Sequence, residues 1–211
     1  MYTPKFNQIA DRATLLETMR AYPFAILFGA DTATHLPLLV KDEGEHGTLE
    51  GHFALANHHW QSLAGREALV VFPGPHTYVS PSLYVEELSV PTWNYIAIHA
   101  YGTLQLIEDH DNKQRLVEEL IAANEPAYLD RWRTFEPGYQ RSMLKGIMGF
   151  RIAIARIEGK FKISQNRPEA DRLNVRNAQA AGSDDQRELA RWMDRLGLTH
   201  NGNATPESRN Q

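Results

Sequence analysis

The stretch Val90-Pro-Thr-Trp-Asn-Tyr-Ile-Ala-Ile-His-Ala-Tyr-Gly-Thr-Leu-Gln-Leu106 carries the clearest structural signal in the chain. Ile96, Ile98, Ala100, Leu104 and Leu106 fall on one face, and His99, Tyr101, Thr103 and Gln105 on the other. That period of two marks a half-buried strand. Shortly before it lies Phe72-Pro-Gly-Pro-His-Thr-Tyr-Val-Ser-Pro-Ser-Leu-Tyr84. Prolines at 73, 75, 81 and 91 exclude a helix through this region and bias the preceding residues towards extended backbone. The segment therefore reads as a rigid, extended connector. Ser80, Ser82, Thr92 and Asn94 offer small polar groups there, and Tyr78, Tyr84, Trp93 and Tyr95 offer aromatic faces. The combination suits a flat, polar-edged ligand. The plain alternative is a Pro-rich loop packed with aromatics.

Towards the N-terminus, Ala68 to Phe72 is a short apolar strand, and Asn57 to Leu63 reads as one or two helical turns. Leu49 to Ala54 and Thr34 to Val40 form a hairpin around the polar turn Asp42-Glu-Gly-Glu-His-Gly47. That pairing sets His35 and His52 facing each other. Phe24 to Gly29 is a buried strand, and Asp11 caps a helix through Arg20 that Tyr22-Pro23 stops.

Towards the C-terminus, Asp111 to Ala123 is an amphipathic helix. Tyr128 to Lys145 is partly helical, with an interruption at Pro137-Gly138. Gly149 to Ile163 reads as one long bent strand with a turn or bulge at Gly159. Glu169 to Ala181 and Asp184 to Leu196 are two helices broken at Gly182. Thr199 to Gln211 is polar and is expected to be a disordered tail. Strands in the middle and helices at the ends favour a small antiparallel barrel over a parallel sheet. The expected organisation is a single domain over residues 1–198, mostly β, with peripheral and C-terminal helices.

The chain has 211 residues, a net charge of −4 and no cysteine. The charge gives no global pull towards nucleic acid or anionic membrane. The missing cysteines exclude disulfides, thiolate metal sites and a thiol nucleophile. Nothing in the N-terminal residues resembles a signal peptide, and no apolar run of about 18 residues exists. A cytoplasmic location is the default expectation.

Nine histidines invite a metal reading, with His52, His58 and His59 close together and His35 on the preceding strand. No metal-ligand spacing such as H-E-x-x-H supports it. Ser80 precedes a proline, which is not the turn that a nucleophile elbow needs. The second concentrated patch is Ile157-Glu-Gly-Lys-Phe-Lys-Ile-Ser-Gln-Asn-Arg167. Lys160, Lys162, Ser164, Gln165, Asn166 and Arg167 offer cations and amide donors of the kind a phosphate wants. A solvated basic strand exit is the competing reading.

Six ordered motifs resemble the PaiB family, described as FMN-binding negative transcriptional regulators. They are Tyr2-Thr-Pro-Lys-Phe6, His35-Leu-Pro-Leu38, Gly51-His-Phe-Ala-Leu-Ala-Asn57 with Trp60, Gly74 to Tyr84, Val90 to Tyr95 and Ile157 to Asn166. The resemblance implies an FMN-binding split β-barrel of the pyridoxamine-phosphate-oxidase type, forming homodimers with FMN at the interface. It implies FMN contacts at His35, His52, Asn57, Ser80, Pro81, Tyr84, Thr92, Trp93, Asn94, Tyr95, Lys162, Ser164, Gln165 and Asn166. The pattern has Arg where Leu55 stands, Pro at His58 and Trp at Leu83; Lys162 or Arg167 can supply the cation that Leu55 lacks. DNA, if a partner, would meet the run Lys160, Lys162, Arg167, Arg172 and Arg176. A flavin-dependent oxidoreductase is the alternative function, with His35 as first candidate for an acid or base.

Overall fold

The computed structural model describes residues 1–199. The expected tail lies outside the described residues apart from Thr199. The chain groups into two compact units. The first comprises Met1–Tyr2, Gln8–Gly74 and Ala97–Lys160; the second comprises Thr3–Asn7, Pro75–Ile96 and the chain from Phe161 onward.

The first unit is built on an antiparallel sheet. Its strands are β1 (Gln8–Ile9), β2 (Phe24–Gly29), β3 (Thr32–Pro37), β4 (Leu39–Lys41), β5 (Thr48–Ala54), β6 (Glu67–Val79), β7 (Thr92–Ile107), β8 (Ile147–Ala153) and β9 (Arg156–Lys162). The order is β3-β2-β6-β7-β8-β5-β4, with β9 on β7 and β1 on β9, so the path does not close into a ring. The far ends of β6, β7 and β9 belong to the second unit. Burial alternates along β7 as its sequence dictates, and the alternation reaches back to Asn94. Inward residues of β2, β5, β6, β7 and β8, including Leu27, Phe53, Val70, Ile98 and Phe150, make one apolar core. Helix α1 (Arg12–Ala21) lays Leu15, Leu16 and Met19 on that core. Asp11 caps it by accepting from Thr14 N at 2.8 Å, which satisfies one of the helix's orphan donors. Helices α2 (His59–Leu63), α3 (His110–Asn124), α4 (Leu129–Arg133) and α5 (Pro137–Lys145) complete this unit. Pro137 opens α5 at its first turn, a position where its missing N–H costs nothing.

Three sequence expectations need correction. Thr34 to Val40 is not one strand: the chain breaks at Leu38, whose N–H donates to Pro23 O at 3.0 Å instead of to a ladder. As a result β3 pairs with β2 and only β4 pairs with β5. His35 therefore opposes Ile26, and His52 opposes Gly149 on β8; the two histidines are not cross-strand partners. Next, the Pro-rich connector is mostly strand, since β6 continues through Pro73 and Pro75 to Val79. Its pairing with β2 covers only Leu69 to Val71, so the prolines fall where no donor is owed to that neighbour. Pro81–Leu83 is a single 3-10 turn rather than extended chain. Finally, Gly149 to Ile163 is two strands, β8 and β9. Gly159 lies inside β9 opposite Ile9, where a Cβ would collide with the Leu15 side chain. It is a close-approach glycine, not a turn.

The second unit is organised around helices α6 (Glu169–Ala180) and α7 (Asp184–Arg195). Ser183 and Gln186 form a reciprocal capping box that starts α7, the sequence signature of a helix N-terminus. Leu189, Trp192 and Met193 at i, i+3 and i+4 then form its buried stripe. Phe161 meets the Trp192 ring edge-on at 5.1 Å. Arg176 on α6 pairs with Asp194 on α7 at 2.5 Å.

Candidate functional site

Strand β7 enters the second unit with Thr92 and Asn94 on one face and Trp93 and Tyr95 on the other, by the same period of two that orders its apolar half. Asn94 is 1% exposed. A buried amide needs partners, and Asn94 finds them in Ser164: Nδ2 donates to Ser164 Oγ at 3.0 Å, and Oγ lies 3.3 Å from Asn94 Oδ1. Ser164 follows the end of β9 with φ of 68°, a left-handed conformation that costs a non-glycine residue roughly 1–2 kcal/mol. Gln165 holds the turn together. Its Oε1 accepts from Ile163 N at 2.8 Å, and its Nε2 donates to Phe161 O. Gln165 thus spends its amide on the turn's own backbone.

Lys162 precedes this turn. Its Nζ donates to Thr92 Oγ1 and, at 2.6 Å, to Trp93 O. Arg167 follows the turn, with its guanidinium 3.9 Å above the Tyr84 ring. Tyr84 is 8% exposed, and its buried hydroxyl has no hydrogen-bond partner among the described residues. The loop carrying Tyr84 is pinned to α6: Val85 N donates to Asp171 Oδ1 at 2.8 Å, and Asn174 Nδ2 to Leu83 O at 3.1 Å. Together Tyr84, Thr92, Asn94, Lys162, Ser164, Asn166 and Arg167 line a cleft of about 130 Å³. Two cations, several small polar groups and the Tyr84 ring converge there. The donor set fits a phosphoryl group, which accepts from cations and hydroxyls at once. The volume is well below the roughly 300–1,000 Å³ of a pocket for a whole ligand, so it suits a head group rather than an entire flavin.

Other sequence-selected residues lie around this cleft or in the first unit. Ser80 and Pro81 begin the 3-10 turn, with Ser80 Oγ accepting from Ser82 N at 3.2 Å. Trp93 is 53% exposed and meets Tyr78 edge-on at 6.2 Å. His76 lies 6.3 Å from Trp93. Tyr95 is half-buried on the same face of β7. His35, in the first unit, is exposed beside the Phe24 ring at 6.2 Å. His52 is half-buried there, its Nδ1 without a partner among the described residues, and burial pushes its pKa below the ordinary value.

Asn57 belongs to a closed network. Its Nδ2 donates to Thr34 Oγ1 at 3.2 Å, and its Oδ1 accepts from His59 N at 3.2 Å. His59 Nε2 lies 2.9 Å from Gly29 O and Nδ1 lies 2.9 Å from Thr34 Oγ1. A carbonyl only accepts, so Nε2 carries a proton; on a neutral ring Nδ1 is then the acceptor of the Thr34 hydroxyl. His59 is thus a buried structural histidine. Among the described residues, no three His, Asp or Glu side chains converge as a metal site.

The sequence patch already places Arg167 among the donors suited to a phosphate, but it foresees neither the stacking of Arg167 on Tyr84 nor the hold of Asp171 on the Tyr84 loop. A stacked guanidinium and a helix-borne carboxylate both depend on contacts across long stretches of chain, and no local pattern announces them. The basic run proposed for DNA is largely engaged already. Lys160 is 9% exposed and donates to Tyr2 O at 3.0 Å. Arg172 donates to Leu198 O and Arg167 O, and Arg176 pairs with Asp194.

Comparison with known proteins gives the following. A family model described as "Putative FMN-binding domain" matches residues 1–156. The protease synthase and sporulation protein PAI 2 of Bacillus subtilis is 37% identical over 185 residues, covering 83% of this chain and 87% of that protein. An uncharacterised protein of Emericella nidulans is 30% identical, covering 83% of this chain and 88% of that one. Among solved structures, a flavocytochrome from Azotobacter vinelandii superposes with a TM-score of 0.58 at 15% identity, over 76% of this chain and 72% of that one. An FAD- and haem-binding protein from Mycobacterium smegmatis gives 0.57 at 18% identity, over 74% of this chain and 73% of that one. These structures share the fold, an open split barrel of mostly antiparallel strands with added helices.

Proposed function

This chain belongs to the FMN-binding domain family that also takes in PAI 2, and we propose that it holds the FMN phosphate in the cleft of the second unit and acts as a negative transcriptional regulator. The observation that carries the siting is the convergence of Lys162, Arg167 and Tyr84 on one small cleft. Lys162 and Arg167 balance the phosphate charge. Asn94 and Ser164 fix the turn that presents them. Trp93 and Tyr95, outside the cleft, offer faces for the ring. FMN supplies redox-capable chemistry when bound; the residues here bind and orient it. The regulatory role is taken from the resemblance to PAI 2, whose name speaks of protease synthesis and sporulation.

A homodimer is part of this reading. Tyr78, Val85, Leu88, Val90 and Trp93 are 51–93% exposed in the second unit, and clustered apolar exposure of that kind marks an interaction surface. Light scattering at micromolar concentration should give twice the chain mass. DNA contact, if direct, is expected to be weak, because four of its five candidate cations already donate to groups within the fold and the fifth, Arg167, lies over the Tyr84 ring. It should also fall steeply with salt.

The test is a titration of the purified chain with FMN, followed by flavin fluorescence, alongside retention of promoter DNA at low salt. Saturable quenching below ~100 μM FMN supports the siting when Lys162→Met weakens it. Rapid reduction of bound FMN by a nicotinamide donor, with no regulatory effect on deletion of the gene, would replace the regulator with a flavin-dependent oxidoreductase.

A further inference from the structure

A groove of about 340 Å³ lies in the first unit, where α1 and α3 meet the break between β3 and β4. Its walls are Pro23, Pro37, Leu38, Leu39, Val40 and Leu120, with Arg20, Ala123 and Asn124 also lining it. Leu38 is 3% exposed and forms the floor. Arg20, Pro37, Ala123 and Asn124 are exposed and ring the mouth.

Part of the lining is aliphatic, and several of its backbone groups are already spoken for. Pro23 and Pro37 have no N–H. Pro23 O is taken by Leu38 N at 3.0 Å. Val40 O is taken by Arg20 Nε at 3.0 Å, and Leu120 O by Asn124 Nδ2 at 2.8 Å. Those three carbonyls are therefore satisfied, and a ligand would meet aliphatic side chains and polar surface in nearly equal measure. One charge stands at the rim. Arg20 spends Nε on Val40, and its two terminal nitrogens make no hydrogen bond among the described residues. Asp42, which feels the Arg20 charge, is itself paired with Arg12 at 2.5 Å.

A groove of this volume, with an aliphatic side on Leu38, Val40 and Leu120 and a guanidinium on its polar side, has the chemistry of a site for an amphipathic anion. We propose that the groove binds a medium-chain aliphatic carboxylate, with its tail along Leu38, Val40 and Leu120 and its head on Arg20. Such a ligand would bear on α3 and β4 together. Those elements are joined one residue away on each side, where Lys41 Nζ meets Glu119 at 2.5 Å. The proposal does not depend on where FMN sits.

The experiment is calorimetric titration of the full-length chain, loaded with FMN, using octanoate, hexanoate and octanol as probes. Octanoate should bind saturably below ~1 mM. Two methylenes separate it from hexanoate, so it should bind about 15-fold more tightly, at roughly fourfold per buried methylene. Octanol should bind at least tenfold more weakly than octanoate. Arg20→Met should erase that difference, and Leu120→Trp should abolish both by filling the slot. Ala123→Phe, at an exposed position that the fold does not need, closes the mouth and should act as Leu120→Trp does. The proposal is overturned by an absence of saturable octanoate binding at ~1 mM. It is equally overturned by octanol binding as tightly as octanoate, or by octanoate binding that survives Ala123→Phe.

Discussion

Glu50 and Asn94 are each 1% exposed, and each anchors a polar cluster beneath apolar neighbours. Glu50 sits on β5 between Lys41 Nζ at 2.9 Å and Arg115 Nη1 at 3.1 Å, with Arg151 at 4.0 Å. Glu119 closes the ring on Lys41 at 2.5 Å and on Arg115 at 2.9 Å. The hydrogen bonds that Arg115 donates to Glu50 and then to Glu119 raise its pKa. Burial works against the Lys41 charge, but Glu119 and Glu50 together raise its pKa. Every charge there has an opposite charge, even though Arg115 and Glu119 also border a cleft of about 530 Å³. The Asn94 cluster has the same ingredients but does not close. Its amide and Ser164 satisfy each other, while Tyr84, which lines the cleft with two cations, keeps a buried hydroxyl without a partner among the described residues. A buried polar group left unsatisfied costs about 1–3 kcal/mol. A fold that keeps such a cost at a cleft is arranged for something that satisfies it. Closure therefore separates a structural cluster from a binding one better than composition does.

The contrast can be broken at either end, and the largest effect is expected at Glu50. Glu50→Ala leaves Lys41 and Arg115 short of a buried partner, which should cost about 3 kcal/mol, read as a shift of the denaturant midpoint. FMN affinity should not change. A loss below about 1 kcal/mol would mean that Glu119 alone can carry the cluster.

Lys162→Met comes next. It removes a charged donor to the phosphate, and such bonds contribute about 1.5–3 kcal/mol. FMN affinity should fall roughly 10- to 100-fold, while riboflavin, which lacks the phosphate, should be unaffected. Equal losses for both flavins would mean that Lys162 acts only through its bonds to Thr92 and Trp93.

Tyr84→Phe gives a smaller effect of two signs. Removing the orphaned hydroxyl should raise the stability of the FMN-free chain by about 1 kcal/mol and weaken FMN binding several-fold. A variant that loses stability without FMN would show that the hydroxyl is satisfied in solution and that the second cluster is as closed as the first.

The smallest effect is a pH dependence. Burial lowers the His52 pKa below its ordinary 6.5, and His99 shifts the same way. On acidification through pH 6.5 the unfolded chain takes up protons before the fold does. Stability should therefore fall from neutral pH towards the lower folded pKa values. His52→Gln should flatten part of that slope in melting curves between pH 7 and 5.

Much of the scaffold was legible in the sequence because its signals are local. The Asp11 cap, the stop at Tyr22-Pro23, the alternation from Ile96 to Leu106 and the break at Gly182 each depend on neighbouring residues, and each appears in the structure. The readings that changed depend on pairing. Whether Thr34 to Val40 is one strand turns on the hydrogen bond from Leu38 to Pro23, which is remote in sequence. His35 and His52 look like hairpin partners until that break sends β3 to β2. The candidate site divides in the same manner. Thr92, Asn94, Lys162, Ser164 and Asn166 stood out by residue type and do line one cleft. The stacking of Arg167 on Tyr84, across 83 positions of sequence numbering, has no local trace.

The central claim is that the cleft of the second unit receives the FMN phosphate. Phosphorus-31 NMR of FMN added to the unaltered chain and to Lys162→Met addresses it directly. The account predicts a shifted, broadened phosphate resonance with the unaltered chain. With Lys162→Met the resonance should return most of the way to its free position at equal flavin occupancy. A resonance identical for the two proteins, both saturated with FMN, would contradict it.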